Sequence, residues 1–166
     1  MVGAHNVHRA NHSAPALHWD TTLAKLANEH TSQCVMRNYL SEPNGGLMHQ
    51  SSSYLSNEKY SDAERATHAW YSEGAPVMLA EKLYGQTSIS DTQQAEVGTF
   101  ANVVWKGFTG VGCATTLCPQ VFLPGGGASG WTNMKLTLCF YGPWDGSSDY
   151  AINVAPPIGC PAYGES

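Results

Sequence analysis

Three histidines near the N-terminus have a spacing that could bind a metal. His5, His8 and His12 follow one another at i, i+3 and i+7, so in a helix they would lie along one face. Imidazole is the commonest metal ligand in proteins, and an exposed row of this kind would bind Ni²⁺ or Zn²⁺. The alternative is that the row has no metal-binding role, and we favour it because the helix is short.

Five cysteines offer the other evident chemistry. The C-x2-C spacing of zinc ribbons is absent, and the closest pair, Cys113 and Cys118, is separated by four residues. Cys34, Cys139 and Cys160 are scattered along the chain. Together with many Trp and Tyr and few charges, this pattern is typical of a secreted protein with disulfides. The odd number leaves one thiol over, or one partner outside the chain.

Composition limits the classes of function. The chain has 166 residues with 8 Lys+Arg, 13 Asp+Glu and a net charge of −5, and only 13% of its residues are charged. The length fits one domain, which we place at 1–150, followed by a Pro-rich tail at 151–166. The negative charge argues against duplex nucleic acid as a partner, since binding requires neutralised phosphates. No uncharged apolar run approaches the ~18 residues of a membrane span.

Periodicity and capping residues predict four helices in the first two thirds of the chain. Asp20 is the expected N-cap of the second helix, and capping-box sequences at Ser61 and Ser90 open the third and fourth. Gly74 and Pro76 are expected to end the third helix. The predicted spans are 3–11, from residue 21, from 61 to about 74 and from 90 to 107, with a loop over 38–60.

Strand signals follow in the last third. The sequence predicts strands over 111–118 and 134–141, the second with a clean alternation of apolar and polar side chains. The glycine-rich segment between them, 119–133, is predicted to be a loop. Helices followed by paired strands indicate an α+β fold, with an antiparallel sheet and helices on its faces.

Short segments spread along the chain resemble the signatures of the CAP superfamily, the cysteine-rich secretory, antigen 5 and pathogenesis-related proteins. GTFANVVW at 98–105, followed by VGCA at 111–114, is similar to the first signature, and LCFYGP at 138–143 to the second. HNVHR at 5–9 and PALHWD at 15–20 are similar to the opening motifs. The resemblance runs in order from residue 5 to about 145. It implies a secreted member of the fungal or plant pathogenesis-related type, with a three-layer α-β-α sandwich around a central antiparallel sheet.

The resemblance also implies a cleft in which two His and two Glu bind Zn²⁺ or a similar ion. By motif position His49 is the first His, Glu73 the second Glu and Glu58 a shifted match to the first Glu. Thr99 stands at the second His position, and its hydroxyl is a poor and short substitute for imidazole. We therefore predict a degenerate metal site, with weak divalent metal binding at most and no cofactor. Because no nucleophile–base pair is evident, we predict a non-enzymatic protein; the alternative is a metal-dependent hydrolase or protease using His49, Glu58 and Glu73.

The family framework implies two disulfides, Cys34–Cys113 and Cys118–Cys139, and leaves Cys160 unpaired in the tail. It also implies a lipid site, since relatives carry sterols at an aromatic-rich loop before the last strand and fatty acids in a groove between the first and fourth helices. The candidate lipid-contacting residues of the corresponding loop are Val121, Phe122, Leu123, Pro124 and Trp131. Ordering its extra glycines would oppose the gain from burying Phe or Leu, which predicts weakened sterol binding.

The predicted partners are thus a sterol or fatty acid, and a host or microbial extracellular protein in a defence or virulence role. A further alternative is a protein-interaction module that does not bind lipid.

Overall fold

The computed structural model describes residues 2–37, 46–52, 61–144 and 146–159, with 46–52 described as backbone. The helices are α1 (Val2–Asn11), α2 (Thr21–Thr31), α3 (Asp62–Ala80), α4 (Asp91–Val104) and α5 (Tyr150–Asn153). The strands are β1 (His18–Trp19), β2 (Gly46–Ser52), β3 (Gly110–Phe122) and β4 (Ala128–Gly142). None of the helices in these ranges is long and apolar enough to cross a membrane.

The sheet lies between two helical layers, which confirms the predicted α-β-α sandwich. Its strand order is β1-β3-β4-β2, antiparallel except that the short β1 runs parallel to β3. Side chains alternate along β4: Leu138 and Phe140 pack against α2, whereas Cys139 and Tyr141 join the core formed with α3 and α4. Each face of β4 is therefore buried by a different layer.

The third helix does not end at Gly74 as predicted; it continues through Pro76 to Ala80. Proline removes one helical hydrogen bond, the one to the carbonyl of Ser72, and Ser72 is exposed so water can serve that carbonyl. Met78 on the next turn is fully buried in the main core. Tertiary packing thus outweighs the local stop signal.

Two segments predicted as loops contain strand. Within 38–60, residues 46–52 form β2, whose backbone pairs with β4 from Gly46 opposite Phe140 to Ser52 opposite Met134. Within 119–133, β3 and β4 continue almost to the turn, with Phe122 paired to Ala128. Both strands form through backbone hydrogen bonds to a neighbouring strand, and the alternation of apolar and polar side chains does not reveal such pairing.

The disulfides are Cys34–Cys118 and Cys113–Cys139, so both predicted pairings were wrong. Cys113 and Cys118 are five residues apart on β3 and therefore point to opposite faces of the sheet. Cys113 lies directly opposite Cys139 in the β3–β4 register, with 4.0 Å between their Cα atoms. Cys118 faces the layer of α2, where Cys34 follows the end of that helix.

Peptide mapping of the unreduced protein tests this connectivity. We expect mass spectrometry to recover a Cys34–Cys118 peptide pair and a Cys113–Cys139 peptide pair. In each pair, the partner cysteine lies on the same side of the sheet as the cysteine of β3. Digestion after reduction serves as the control, since both linked species should then disappear. Recovery of Cys34 linked to Cys113 would contradict the strand register.

Residues beyond 150 pack on the domain up to the last described residue, rather than forming a tail. The predicted boundary falls inside α5, and Val154 after it is buried. The amide of Ile158 donates to the carbonyl of Asn11 at 2.8 Å, which ties this segment to the end of α1. Cys160 and the rest of 160–166 lie outside the described residues.

Candidate functional site

The residues predicted for the metal cleft are distributed over β2, α3 and α4. His49 lies in β2 at the register position opposite Thr137 of β4, and Glu58 falls outside the described residues. Glu73 is exposed on α3, whereas Thr99 on α4 is half-buried. The Thr99 hydroxyl donates to the carbonyl of Trp70, one turn before Glu73, over a long 3.5 Å. The structure therefore brings the helices of Glu73 and Thr99 side by side.

Close packing of α3 on α4 fixes that arrangement. A Cβ at Gly74 would lie 2.4 Å from the Cβ of Phe100, so the two helices meet at a distance that only glycine permits. Trp70, Tyr71 and Phe100 are buried around this contact. Glu73 and Thr99 are thus held on a rigid pair of helices.

The donor set at the second-His position does not match a zinc site. The hydroxyl of Thr99 is engaged with the α3 backbone, and a zinc site needs three or four nitrogen, sulfur or oxygen ligands at about 2.0–2.3 Å. Among the side chains that the structure describes, which include neither His49 nor Glu58, no three His, Cys, Asp or Glu cluster as metal ligands. The weak site at His49, Glu58 and Glu73 stays a prediction, and no catalytic step follows from these residues.

The predicted lipid loop is the end of the β3–β4 hairpin. Phe122, Leu123 and Trp131 are 37%, 43% and 40% exposed, and Pro124 is exposed as well. Val121 differs: its side chain is fully buried, packed with Cys118 and Leu136 beneath the sheet. This burial does not fit the predicted contact of Val121 with a ligand; Val121 packs in the same cluster as Cys118, three residues earlier, because the β3–β4 register shifts between Gln120 and Phe122.

The hairpin end is fixed by the segment that follows α2. The Phe122 amide donates to the Cys34 carbonyl at 2.8 Å, and the Met36 amide donates to the Phe122 carbonyl at 2.9 Å. The Cys34–Cys118 disulfide joins the same two segments. The turn between the strands uses Gly125 and Gly126, both with positive φ. The backbone at Phe122 is therefore held by hydrogen bonds in the folded protein, and weakened sterol binding by the glycine-rich turn stays a prediction.

The two histidines of α1 and His12 in the turn after it are buried, whereas a surface metal site would need them exposed. His5, His8 and His12 are at most 1% exposed, and each ring contacts a polar side chain of α3 or β4. Arg9 between them is also fully buried. No role for Arg9 was predicted from the sequence, although its place between His8 and His12 was a signal for one.

The sequence of this fold matches the model of a known protein family. The sequence model of the cysteine-rich secretory protein family, CAP, matches residues 2–123. The chain belongs to the CAP family. The match includes α1 to α4 and β3, so it covers Arg9, Glu73, Thr99 and the first half of the β3–β4 hairpin.

Two relatives of this CAP chain are fungal proteins. It is 36% identical over 159 residues to a probable pathogenesis-related protein of Arthroderma benhamiae, covering 95% of this chain and 48% of that one. It is 32% identical over 120 residues to the secreted protein RBT4 of Candida albicans, covering 71% of this chain and 29% of the relative. The chain thus spans about half or less of the length of these two relatives. They support a fungal pathogenesis-related type of CAP protein.

Solved CAP structures have the same fold. The crystal structure of NaASP2 with Zn²⁺ superimposes with a TM-score of 0.60 at 25% identity, over 86% of this chain and 76% of the other. The hookworm platelet inhibitor superimposes with a TM-score of 0.62 at 18% identity, over 94% and 74%. The second likeness is one of fold alone.

Proposed function

We propose that this CAP protein is a secreted, non-enzymatic protein that binds a sterol or fatty acid at the end of its β3–β4 hairpin. The observation that carries the proposal is the exposure of Phe122, Leu123 and Trp131 on a backbone that is already ordered. Apolar side chains displayed on a rigid element can cover a lipid, or enter a bilayer surface, without an ordering cost to the backbone.

The expected affinity is modest. Full burial of a Phe or Leu side chain stabilises by about 1.5–3 kcal/mol relative to full exposure, and Phe122 and Leu123 are already more than half buried. Association itself costs about 4 kcal/mol or more in lost freedom of motion. Trp131 adds a ring suited to the boundary between apolar and aqueous surroundings. We therefore expect weak binding to a single lipid and stronger binding to lipid presented in a vesicle.

An extracellular location and an interaction between host and microbe complete the proposal. Two disulfides favour an oxidising compartment, and the Candida albicans relative is named a secreted protein. The Arthroderma benhamiae relative is named a probable pathogenesis-related protein. The partner we propose besides lipid is an extracellular protein of the host or the microbe.

Binding of radiolabelled cholesterol and palmitate to the full chain, free and in phosphatidylcholine vesicles, tests the lipid site. The double variant Phe122→Ser/Leu123→Ser should bind at least fivefold less lipid than wild type, because both exposed apolar contacts are lost. Ile152→Ser is the matched control, since it removes an exposed apolar side chain from α5. Equal binding by wild type and double variant would place any lipid elsewhere. Absence of binding by wild type would favour the protein-interaction alternative.

A further inference from the structure

Helix α1 attaches to the domain through a face that is almost entirely polar. Its apolar contribution is the buried Ala4 and the partly buried Val2, while Val7 is 51% exposed. The buried polar residues of α1 and of the turn after it are His5, His8, Arg9 and His12. Little apolar area is removed from water here, so hydrogen bonds hold α1 in place.

His12 is bonded as a neutral imidazole. Its Nδ1–H donates to the carbonyl of Ala155 at 2.7 Å, because a carbonyl oxygen can only accept. Its Nε2 then accepts from the hydroxyl of Tyr71 at 2.8 Å. A proton added at Nε2 of His12 would remove the acceptor of this hydrogen bond from the Tyr71 hydroxyl. The loss would be costly because Tyr71 is fully buried.

His5 has the same bonding pattern toward α3 and β4. The Thr67 hydroxyl donates to the carbonyl of Ala63 at 2.7 Å, so it accepts from Nδ1–H of His5 at 3.3 Å. The Nε2 of His5 accepts from the hydroxyl of Tyr141 at 2.8 Å. Burial raises the pKa of Tyr141, which keeps that hydroxyl a donor across the physiological range.

His8 shares a single hydrogen with His68 of α3. The Nε2 of His8 lies 2.8 Å from the Nδ1 of His68, and the His8 ring stacks on Tyr71 with 3.8 Å between centroids. One hydrogen fits between nitrogens at this distance. If both rings were fully protonated, two N–H groups would point at each other and the contact would break.

We propose that the α1 histidine cluster, His5, His8 and His12 with His68, is an acid-sensitive clasp that releases α1 from α3 and β4. The last turn of α1 takes the C-terminal segment with it, since Asn11 accepts hydrogen bonds from the amides of Ile158 and Gly159. The two disulfides of the described residues join α2, β3 and β4 and leave α1 unlinked. Opening also withdraws Arg9 from the carbonyls at the end of α4, but it leaves the disulfide-linked sheet and α2 folded.

The charges that face the cluster set the order of events. Burial lowers the pKa of His68, and Glu64, one turn earlier on α3, opposes that shift; His68 is partly exposed. A protonated His68 can donate its Nδ1–H to Nε2 of His8, so the first proton leaves this hydrogen bond intact. Arg9 is a permanent buried cation on α1, and Tyr84 beside His12 supplies only a neutral ring. No carboxylate faces His8 or His12 among the described contacts, so protons on these two rings enter a site that does not stabilise them.

Acid favours the open state. Burial lowers the pKa of His8 to about 3, and burial also lowers the pKa of His12. The open state binds more protons than the closed state, starting near the ordinary histidine pKa of about 6.5. As pH falls from there, each such ring raises the opening constant by up to about tenfold per pH unit, until its closed-state pKa is reached. The closed state is accordingly favoured above about pH 6.5.

Two-dimensional NMR of the full chain between pH 8 and pH 3.5 tests the clasp. We expect the Cε1–H signal of His68 to titrate first with α1 intact. The amides of 2–11 and 154–159 should then move to unfolded positions in one step, while those of α2, β3 and β4 stay in place. His18, which is exposed on β1 outside this cluster, is the site of the control substitution.

The variant His8→Gln/His68→Asn keeps amide groups at the two bonded nitrogen positions and removes their titration. We expect it to reduce the pH-dependence of α1 opening by up to about tenfold per pH unit, whereas His18→Gln leaves it unchanged. The slope of the α1 opening constant against pH can be measured even if the variant is less stable. The proposal is overturned if His8 and His12 titrate with α1 intact, if α1 stays closed to pH 3.5, or if the whole chain unfolds in the same step.

Discussion

Replacing Arg9 with methionine is expected to lower the free energy of unfolding by about 3–5 kcal/mol. The guanidinium donates to four carbonyls at 2.7–3.2 Å, those of Pro15, Val103, Trp105 and Phe108. Two of them, Val103 and Trp105, lie at the end of α4, where backbone carbonyls lack helical partners. Methionine fills the space but removes the Arg9 donor from all four carbonyls, of which that of Trp105 still accepts from the amide of Phe108. Urea unfolding followed by tryptophan fluorescence measures the loss.

Two further variants separate charge from geometry in this prediction. Burial lowers the pKa of Arg9 only to about 10, so the group is a cation at neutral pH. Arg9→Lys keeps the cation but loses the planar fork, and we expect it to recover less than half of the loss. Arg37→Met removes an exposed arginine and should change stability by no more than about 0.5 kcal/mol. An Arg9→Met protein as stable as Arg37→Met would refute the role assigned to these hydrogen bonds.

Gly112→Ala is expected to lower the free energy of unfolding by about 3 kcal/mol or more. A Cβ at this position of β3 would lie 2.1 Å from the amide nitrogen of Ala24 and 2.5 Å from the carbonyl oxygen of Asp20. Both are backbone atoms of the first turn of α2 and its N-cap, so no side-chain rotation relieves the overlap. Either α2 shifts off the sheet or the strand distorts, and thermal unfolding by circular dichroism should show the loss.

Gly3→Ala is the matched control for that experiment. Gly3 lies in α1, and a Cβ there meets no atom within 4 Å. Since alanine is a better helix former than glycine, this change should raise stability by up to about 1 kcal/mol. If Gly112→Ala were equally harmless, α2 would not be packed on β3 as described.

Local signals predicted the elements whose information is local. Asp20, Ser61 and Ser90 are the N-caps of α2, α3 and α4, and the family signatures indicated the sandwich. Features that depend on partners distant in sequence were missed. The pairing of Cys113 with Cys139 follows from a strand register that no local pattern encodes.

In the candidate site, too, some features follow from local sequence and others depend on distant residues. Phe122, Leu123 and Trp131 belong to the predicted lipid-contacting loop and are exposed. The strand character of the hairpin end depends on backbone hydrogen bonds between Phe122 and the distant residues Cys34 and Met36. Those bonds also bury Val121. A sequence shows which side chains are apolar; it does not show which strand will dock beside them.

The crossing of the two disulfides on β3 has a mechanical consequence. A pulling force applied at the two ends of the polypeptide would follow the covalent path from Cys34 to Cys118, back along β3 to Cys113 and on to Cys139. Nearly everything between residues 34 and 139 is bypassed by that path, so stretching can lengthen the molecule only through the outlying segments. Reduction would lift the restriction and add about 3.3–3.6 Å of contour for every residue set free.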